Sequence, residues 1–359
     1  MTIDVTRTFL PPLEQYQRYV AEIFARGQLT NHGPLVLELE DKLRAALGVR
    51  HCFFVANGTL ALQVAIKALE LAGDVVTTPF SYVATTSAVV WEGCRAVFAD
   101  IDPHTLCLEP RAAEAALTPQ TSAILATHVY GNACDVEGYT ELAQRRGLRV
   151  IYDAAHAFGA RYRGRSLCAY GDISTLSFHA TKLFHTVEGG AVVTDDDTLA
   201  HRIAYLRNFG HDGPEAFWGL GVNAKGNELQ AAMGLCVLPH VPNLIERRRA
   251  VCARYDARLD GLPLTRPSWR AGLDPCFAYY PVLFESEARL LAARAVLNAR
   301  GIFPRRYFYP ALNRLPYVDA SSMPIAESAA ARVLCLPLYA ELAEADIDAV
   351  ADGVRLALT

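Results

Sequence analysis

The sequence predicts an α/β fold in two domains. The first, residues 1–240, holds a large, mostly parallel central sheet covered by helices; the second, 241–359, is a smaller C-terminal α/β domain. Three observations predict this. Short continuous apolar runs alternate with helix-length segments through the first half, as strands buried on both faces do. The character shifts near residue 240, where the charged helix ERRRAVCARYDARL opens a strand–helix–strand–helix remainder. With 359 residues, 52% of them hydrophobic, the chain has enough apolar material for two cores.

The elements follow in order. Leu35, Val36, Leu39, Leu43, Ala46 and Leu47 share one helical face, Glu38, Asp41, Lys42 and Arg44 take the other, and Gly48 stops the helix. HCFFVA at 51–56 reads as a strand. Asn57-Gly58-Thr59 interrupts it, and LALQVAIKALELA continues as a nearly all-apolar helix. Further strands are expected at 74–78, 95–99, 122–127, 149–152, 174–178 and 190–194, with helices at 83–91, 111–116 and 136–146. Beyond the charged helix come a turn-rich stretch at 263–275, a strand at 276–284 and a helix at 287–300 ended by Gly301. A last strand and the amphipathic helix ELAEADIDAVADGVRLAL complete the chain.

Composition excludes several classes. With 34 Lys+Arg against 38 Asp+Glu the net charge is -4, so no basic face supports nucleic-acid binding. Nine cysteines are scattered without a C-x-x-C pair, which argues against a disulfide framework or a cysteine-rich metal site and favours a reducing compartment. No secretory signal and no apolar run of membrane-spanning length is present, so a cytoplasmic, membrane-free protein is expected. Lysine occurs only at 42, 67, 182 and 225. Arginine stays protonated, so any amine chemistry has four candidates.

Three segments carry chemistry. Asn57-Gly58-Thr59, between a strand and a helix, offers backbone N–H groups at a helix N-terminus, either as an anion site or as an ordinary cap. Asp153 ends a buried strand, where open α/β sheets bind ligands; it is a helix cap or a group facing the ligand. Lys182 stands in SFHATKLF, followed by Glu188-Gly189-Gly190. In apolar surroundings it is more easily neutralised, or else it is a snorkelling lysine at a domain seam. Helical periodicity accounts for Lys42 and Lys67, while Lys225 stays open. An anion site, a buried acid and a poised lysine on one sheet match what pyridoxal phosphate needs: a phosphate cradle, an acid against the ring nitrogen and a Schiff-base lysine. A nicotinamide-type fold has weak support, because the first glycine turn is not G-x-G-x-x-G.

These segments resemble the DegT/DnrJ/EryC1/StrS sugar aminotransferases, within fold-type I of the pyridoxal-phosphate enzymes. The resemblance runs from Leu29-Thr30-Asn31-His32-Gly33-Pro34 through 55–62, 78–85, 100–103, 128–131, Asp153-Ala154-Ala155-His156 and 177–190 to 221–232. It implies that Lys182 carries the Schiff base and shuttles a proton, and that Asp153 pairs with the pyridine nitrogen. His156, where relatives have Gln or His, would sit near the ring hydroxyl. Gly58, Thr59 and Ser177 would hold the phosphate, Tyr82 would stack on the ring, and Asn223 would reach the phosphate bound by the neighbouring subunit of a homodimer. Gly226 departs from the larger residue common in relatives.

The implied reaction is a ping-pong transfer from L-glutamate to a nucleotide-linked keto-6-deoxyhexose, with dTDP-4-keto-6-deoxyglucose preferred over the 3-keto isomer. The alternatives are a non-transaminating pyridoxal enzyme, since relatives with histidine at the lysine position dehydrate, and a regulatory protein on the same fold. Arg305, Arg306 and Tyr309, in RRYFYP, are candidates for the pyrophosphate and sugar, or for a charged turn at the subunit seam. No metal is expected.

Overall fold

The computed structural model describes residues 2–358; Met1 and Thr359, the outer limits of the two domains read from the sequence, lie outside the described residues. Two helices, α1 (Leu13–Arg26) and α2 (Pro34–Leu47), come before the main sheet. Its strands are β1 (His51–Val55), β2 (Asp74–Thr77), β3 (Arg95–Phe98), β4 (Thr121–Thr127), β5 (Arg149–Asp153), β6 (Ile173–Ser177) and β7 (Gly190–Thr194). Across the sheet they lie in the order β1-β7-β6-β5-β4-β2-β3. Only β7 runs against its neighbours.

Parallel neighbours need a crossover, and the crossovers are α3 (Gly58–Ala68), α4 (Val83–Trp91), α5 (Pro110–Ala115) and α6 (Val136–Arg146). One apolar cluster, with Leu62, Ile66, Val75, Leu125 and Ile151, fills the sheet face under α3 and α4. A second, with Leu39, Phe54, Val76, Ile124 and Phe178, fills the other face. Burial on both faces explains why GAVVT of β7 reads as an unbroken apolar run; all five of its residues are buried.

The chain continues through α7 (Asp197–Leu206), α8 (Glu228–Val237) and α9 (Val241–Leu259). A two-stranded antiparallel sheet, β8 (Tyr280–Leu283) with β9 (Val333–Leu336), then packs with α10 (Glu287–Ala299), α11 (Pro324–Arg332) and α12 (Glu344–Leu358). Its core draws on Val251, Tyr255, Leu290, Leu334 and Val350, and also on Ile3. Ile3–Asp4 pairs in parallel with Ile302–Phe303, so the first residues of the chain sit with its last third.

Several expected elements come out shorter, two of them at a left-handed residue. The apolar helix stops at Ala68, because Glu70 takes a left-handed backbone conformation at φ 53°. The strand expected at 276–284 keeps only Tyr280–Leu283, because Phe277 has φ 52° and cannot stay in the pleat. Helix α8 was not legible because Ala231 through Val237 are all buried, which leaves no polar stripe to set a period.

Strand β1 is a sheet edge, and two side chains stand in for the missing neighbour. Glu40, from α2, accepts the Phe54 N–H at 2.7 Å, and Arg207, just after α7, donates to the Phe54 carbonyl at 3.0 Å. The two are themselves ion-paired and buried, with the Arg207 guanidinium 4.9 Å from the Phe53 ring centre. Removing one partner strands the other charge. An Arg207→Leu variant is expected to lose about 3–5 kcal/mol of stability, read as a lower denaturation midpoint; an unchanged midpoint contradicts this role.

Candidate active site

The carboxyl ends of β1, β2, β5 and β6 open into a cavity of about 270 Å³. On one side is the start of α3. Asn57 caps it by accepting the Leu60 N–H at 2.9 Å, which leaves the Gly58 and Thr59 amides at the open first turn. Gly58 is required by a close approach: a Cβ there would lie 2.8 Å from the Ser177 Cβ. The absent side chain therefore lets the helix N-terminus and the Ser177 hydroxyl share one wall, and all of Gly58, Thr59 and Ser177 line the cavity.

Asp153 forms the floor at the end of β5. Its Oδ2 accepts from Thr85 Oγ1 at 2.7 Å and its Oδ1 from the Ala155 N–H at 3.1 Å. Burial still raises its pKa above the ordinary aspartate value, against the lowering effects of those two donors and of Lys182. Lys182 follows β6 in a loop closed by Phe178 N–H to Gly189 O and Thr186 N–H to Phe178 O. Its side chain keeps access through the cavity while protein surrounds its amine. That burial lowers its pKa, with Asp153, Tyr307 and Tyr82 pulling the other way.

His156 lies between aromatic groups. Its ring is parallel to Phe308, 5.4 Å between centres, and edge-on to Tyr279 at 5.1 Å. Burial, then the nearby Lys182 and His128, holds its pKa well below the usual histidine value, so the ring is neutral. Its Nδ1 is buried with no partner among the described residues. Tyr82, at the N-terminus of α4, lines the same cavity and is exposed.

Of the three substrate candidates, Arg305 stands apart from the other two. Arg305 lines the cavity, its guanidinium 5.4 Å from the Tyr307 ring centre. Arg306 does not: it bonds Glu287 at 2.6 Å and the carbonyls of Ala330 and Ala331. Tyr309 lies against that guanidinium, 3.5 Å from its ring centre, and outside the cavity lining. The expected pair of arginines on one substrate is therefore corrected to Arg305 alone; i and i+1 in extended backbone point to opposite faces. Asn223 is exposed and outside the cavity of its own chain. Sequence reading missed Thr85, Ser81 and Thr127, which join Asp153 in one hydrogen-bonded chain, and the lid aromatics Tyr279, Tyr307 and Phe308. The hydroxyl-rich TTPFSYVATTS was the available signal for the first group.

These groups fit pyridoxal phosphate on their own chemistry. Among the described residues, the buried acid has no cation at hydrogen-bond range and the histidine Nδ1 has no partner; the amine is held in low dielectric, and the glycine-floored helix start suits an anion.

The model of the DegT/DnrJ/EryC1/StrS aminotransferase family matches residues 13–355. A dTDP-4-amino-4,6-dideoxy-D-glucose transaminase of Shigella dysenteriae is 40% identical over 362 residues, covering 98% of each chain. A UDP-2-acetamido-2-deoxy-3-oxo-D-glucuronate aminotransferase of Pseudomonas aeruginosa is 36% identical over 321 residues, covering 88% of each. The crystal structure of DesI in the presence of its TDP-sugar product superposes with a TM-score of 0.94 at 38% identity, covering all of this chain and 93% of that one.

Two of the buried histidines, His128 and His156, help make the cofactor-free protein acid-labile. Burial lowers His128 to about 3, and His156 also lies below the ordinary value of 6.5. The unfolded chain therefore binds more protons, and the stability present above pH 6.5 is lost as pH falls toward the folded values. By pH 5 His128 alone removes about 2 kcal/mol. A His156→Gln variant is expected to lose less between pH 7.5 and 5 than the parent, by thermal melting; an equal loss contradicts the neutral, buried state of His156.

Proposed function

The chain belongs to the DegT/DnrJ/EryC1/StrS aminotransferase family, and from that premise we propose that it moves an amino group from L-glutamate to a nucleotide-linked keto-6-deoxyhexose. The acceptor proposed is dTDP-4-keto-6-deoxyglucose, the keto counterpart of the amino sugar named for the Shigella dysenteriae relative. One observation carries the reading. Among the described residues lining the cavity Lys182 is the only lysine, its amine is eased toward neutrality by burial, and Asp153 faces the same space.

Lys182 would hold the aldehyde of pyridoxal phosphate, Gly58, Thr59 and Ser177 its phosphate, Asp153 its ring nitrogen and His156 its ring hydroxyl, with Tyr82 against the ring. Bound there, the cofactor supplies an electron sink for a carbanion at the substrate carbon. Lys182 Nζ takes the α-proton of the donor and, in the second half-reaction, delivers a proton to the sugar carbon. One amine serving both halves in one cavity favours a ping-pong order. Asp153 keeps a proton on the ring nitrogen, because a carboxylate in low dielectric gains most from an adjacent cation. Tyr279, Tyr307 and Phe308, which line the cavity with Lys182, would keep water off its amine, and Arg305 on the same lining would meet the pyrophosphate.

A second copy of the chain belongs to this reading. Asn223 lies exposed in a segment that also exposes Phe217, Trp218 and Leu220, with relative exposures of 64%, 57% and 81%. An apolar patch of that kind marks an interface, and a homodimer would bring Asn223 of the partner subunit to the phosphate. No helix among the described residues is long and apolar enough to cross a membrane.

The 3-oxo sugar named for the Pseudomonas aeruginosa relative favours one competing acceptor, a 3-keto isomer. The experiment is to load the enzyme, add L-glutamate and read the visible absorbance, then offer each keto isomer and locate nitrogen in the product by NMR. The expected result is loss of the yellow band and nitrogen at C4. Nitrogen at C3 selects the competing acceptor, and an unchanged band defeats the donor assignment.

A further inference from the structure

Three hydroxyls stand behind the carboxylate on the cavity floor. Thr127 Oγ1, at the end of β4, lies 3.0 Å from Ser81 Oγ; Ser81 Oγ lies 2.8 Å from Thr85 Oγ1; and Thr85 Oγ1 lies 2.7 Å from Asp153 Oδ2. Ser81 is 1% exposed and Thr85 and Thr127 are fully buried, so water does not substitute for any link.

The direction of the protons follows from the charge at one end. An ionised carboxylate only accepts, so Thr85 spends its single O–H on Asp153. Thr85 Oγ1 then accepts from Ser81, whose own proton is thereby spent, and Ser81 Oγ accepts from Thr127. Every O–H dipole points toward Asp153. An Asp153 protonated on Oδ2 would donate to Thr85 and remove that one-way order.

We infer that Thr127, Ser81 and Thr85 form a one-way hydroxyl relay that keeps Asp153 ionised and fixed in orientation, so that the cavity selects a ligand ring carrying a protonated nitrogen. The relay rests on the proposed cofactor reading and adds residues that never touch the substrate: Thr85 positions Asp153 directly, while Ser81 and Thr127 act through Thr85. The relay spans the loop after β2, the first turn of α4 and the end of β4, and it ties three elements to the acid at the end of β5.

The test is equilibrium binding to the cofactor-free full-length protein, by absorbance or fluorescence, of two probes: pyridoxal phosphate and its analogue with CH in place of the ring nitrogen. The readout is the ratio of the two dissociation constants. Thr85→Val is expected to shrink the preference for pyridoxal phosphate by about tenfold, the effect of one lost hydrogen bond to a charged group. Ser81→Ala shrinks it less, Thr127→Val less again, and Thr85→Ser restores it. A purely structural role would weaken both probes alike and leave the ratio unchanged. An unchanged ratio in Thr85→Val or in Ser81→Ala overturns the relay; if Thr85→Val does not fold, Ser81→Ala carries the same reading. Failure of the parent protein to prefer pyridoxal phosphate over the analogue defeats the cofactor reading itself, and is distinguishable because it appears before any substitution.

Discussion

Asp153 holds a carboxylate at the buried floor of the cavity, and burial works to return its proton. Against that stand Thr85, the Ala155 amide and the Lys182 amine. None of them cancels the cost of burial, so the acid is left short of a cation. Lys182 has the opposite problem, since burial pushes its ammonium to shed a proton. Each group opposes the other's shift only in part. A ligand with a positive ring nitrogen and an aldehyde satisfies both, which is why the floor of the cavity suits pyridoxal phosphate better than the folded chain suits itself. Stability is given up here for chemistry, as strained and buried polar sites in enzymes often show.

The frame around this pair is built to hold backbone close to backbone. Gly58 allows the start of α3 to press against Ser177, and Gly190 brings β7 against Asn57, where a Cβ would meet the Asn57 carbonyl at 2.8 Å. The edge strand that feeds this turn is locked by Glu40 and Arg207 instead of by another strand. The start of α3 and the edge lock therefore meet at the two ends of one short segment, Phe54 to Gly58.

The parallel sheet was legible because its strands are apolar on both faces and its crossovers are helical in length. Val83–Trp91 and Val136–Arg146 match their expected limits, and Gly48 ends α2 in the left-handed conformation at φ 65°. Asp153 and Lys182 were legible because an acid ending a buried strand and a lysine in apolar sequence are costly unless used. Thr85, Ser81 and Thr127 were not legible. Hydroxyls in a strand or helix look alike whether they cap, back-bond or form a chain, and only the fold brings residues 81, 85, 127 and 153 together. Arg306 shows the reverse: two adjacent arginines look like one cationic patch, but backbone alternation sends one into the cavity and the other to Glu287.

Position 182 is where these constraints converge, and its chemistry can be read without turnover. The measurement is borohydride reduction of the protein loaded with pyridoxal phosphate, followed by digestion and peptide mass mapping. A phosphopyridoxyl group on the peptide containing Lys182, and absent after Lys182→Arg, is the predicted result. The label on Lys225 or another lysine, or no label at all, would contradict it.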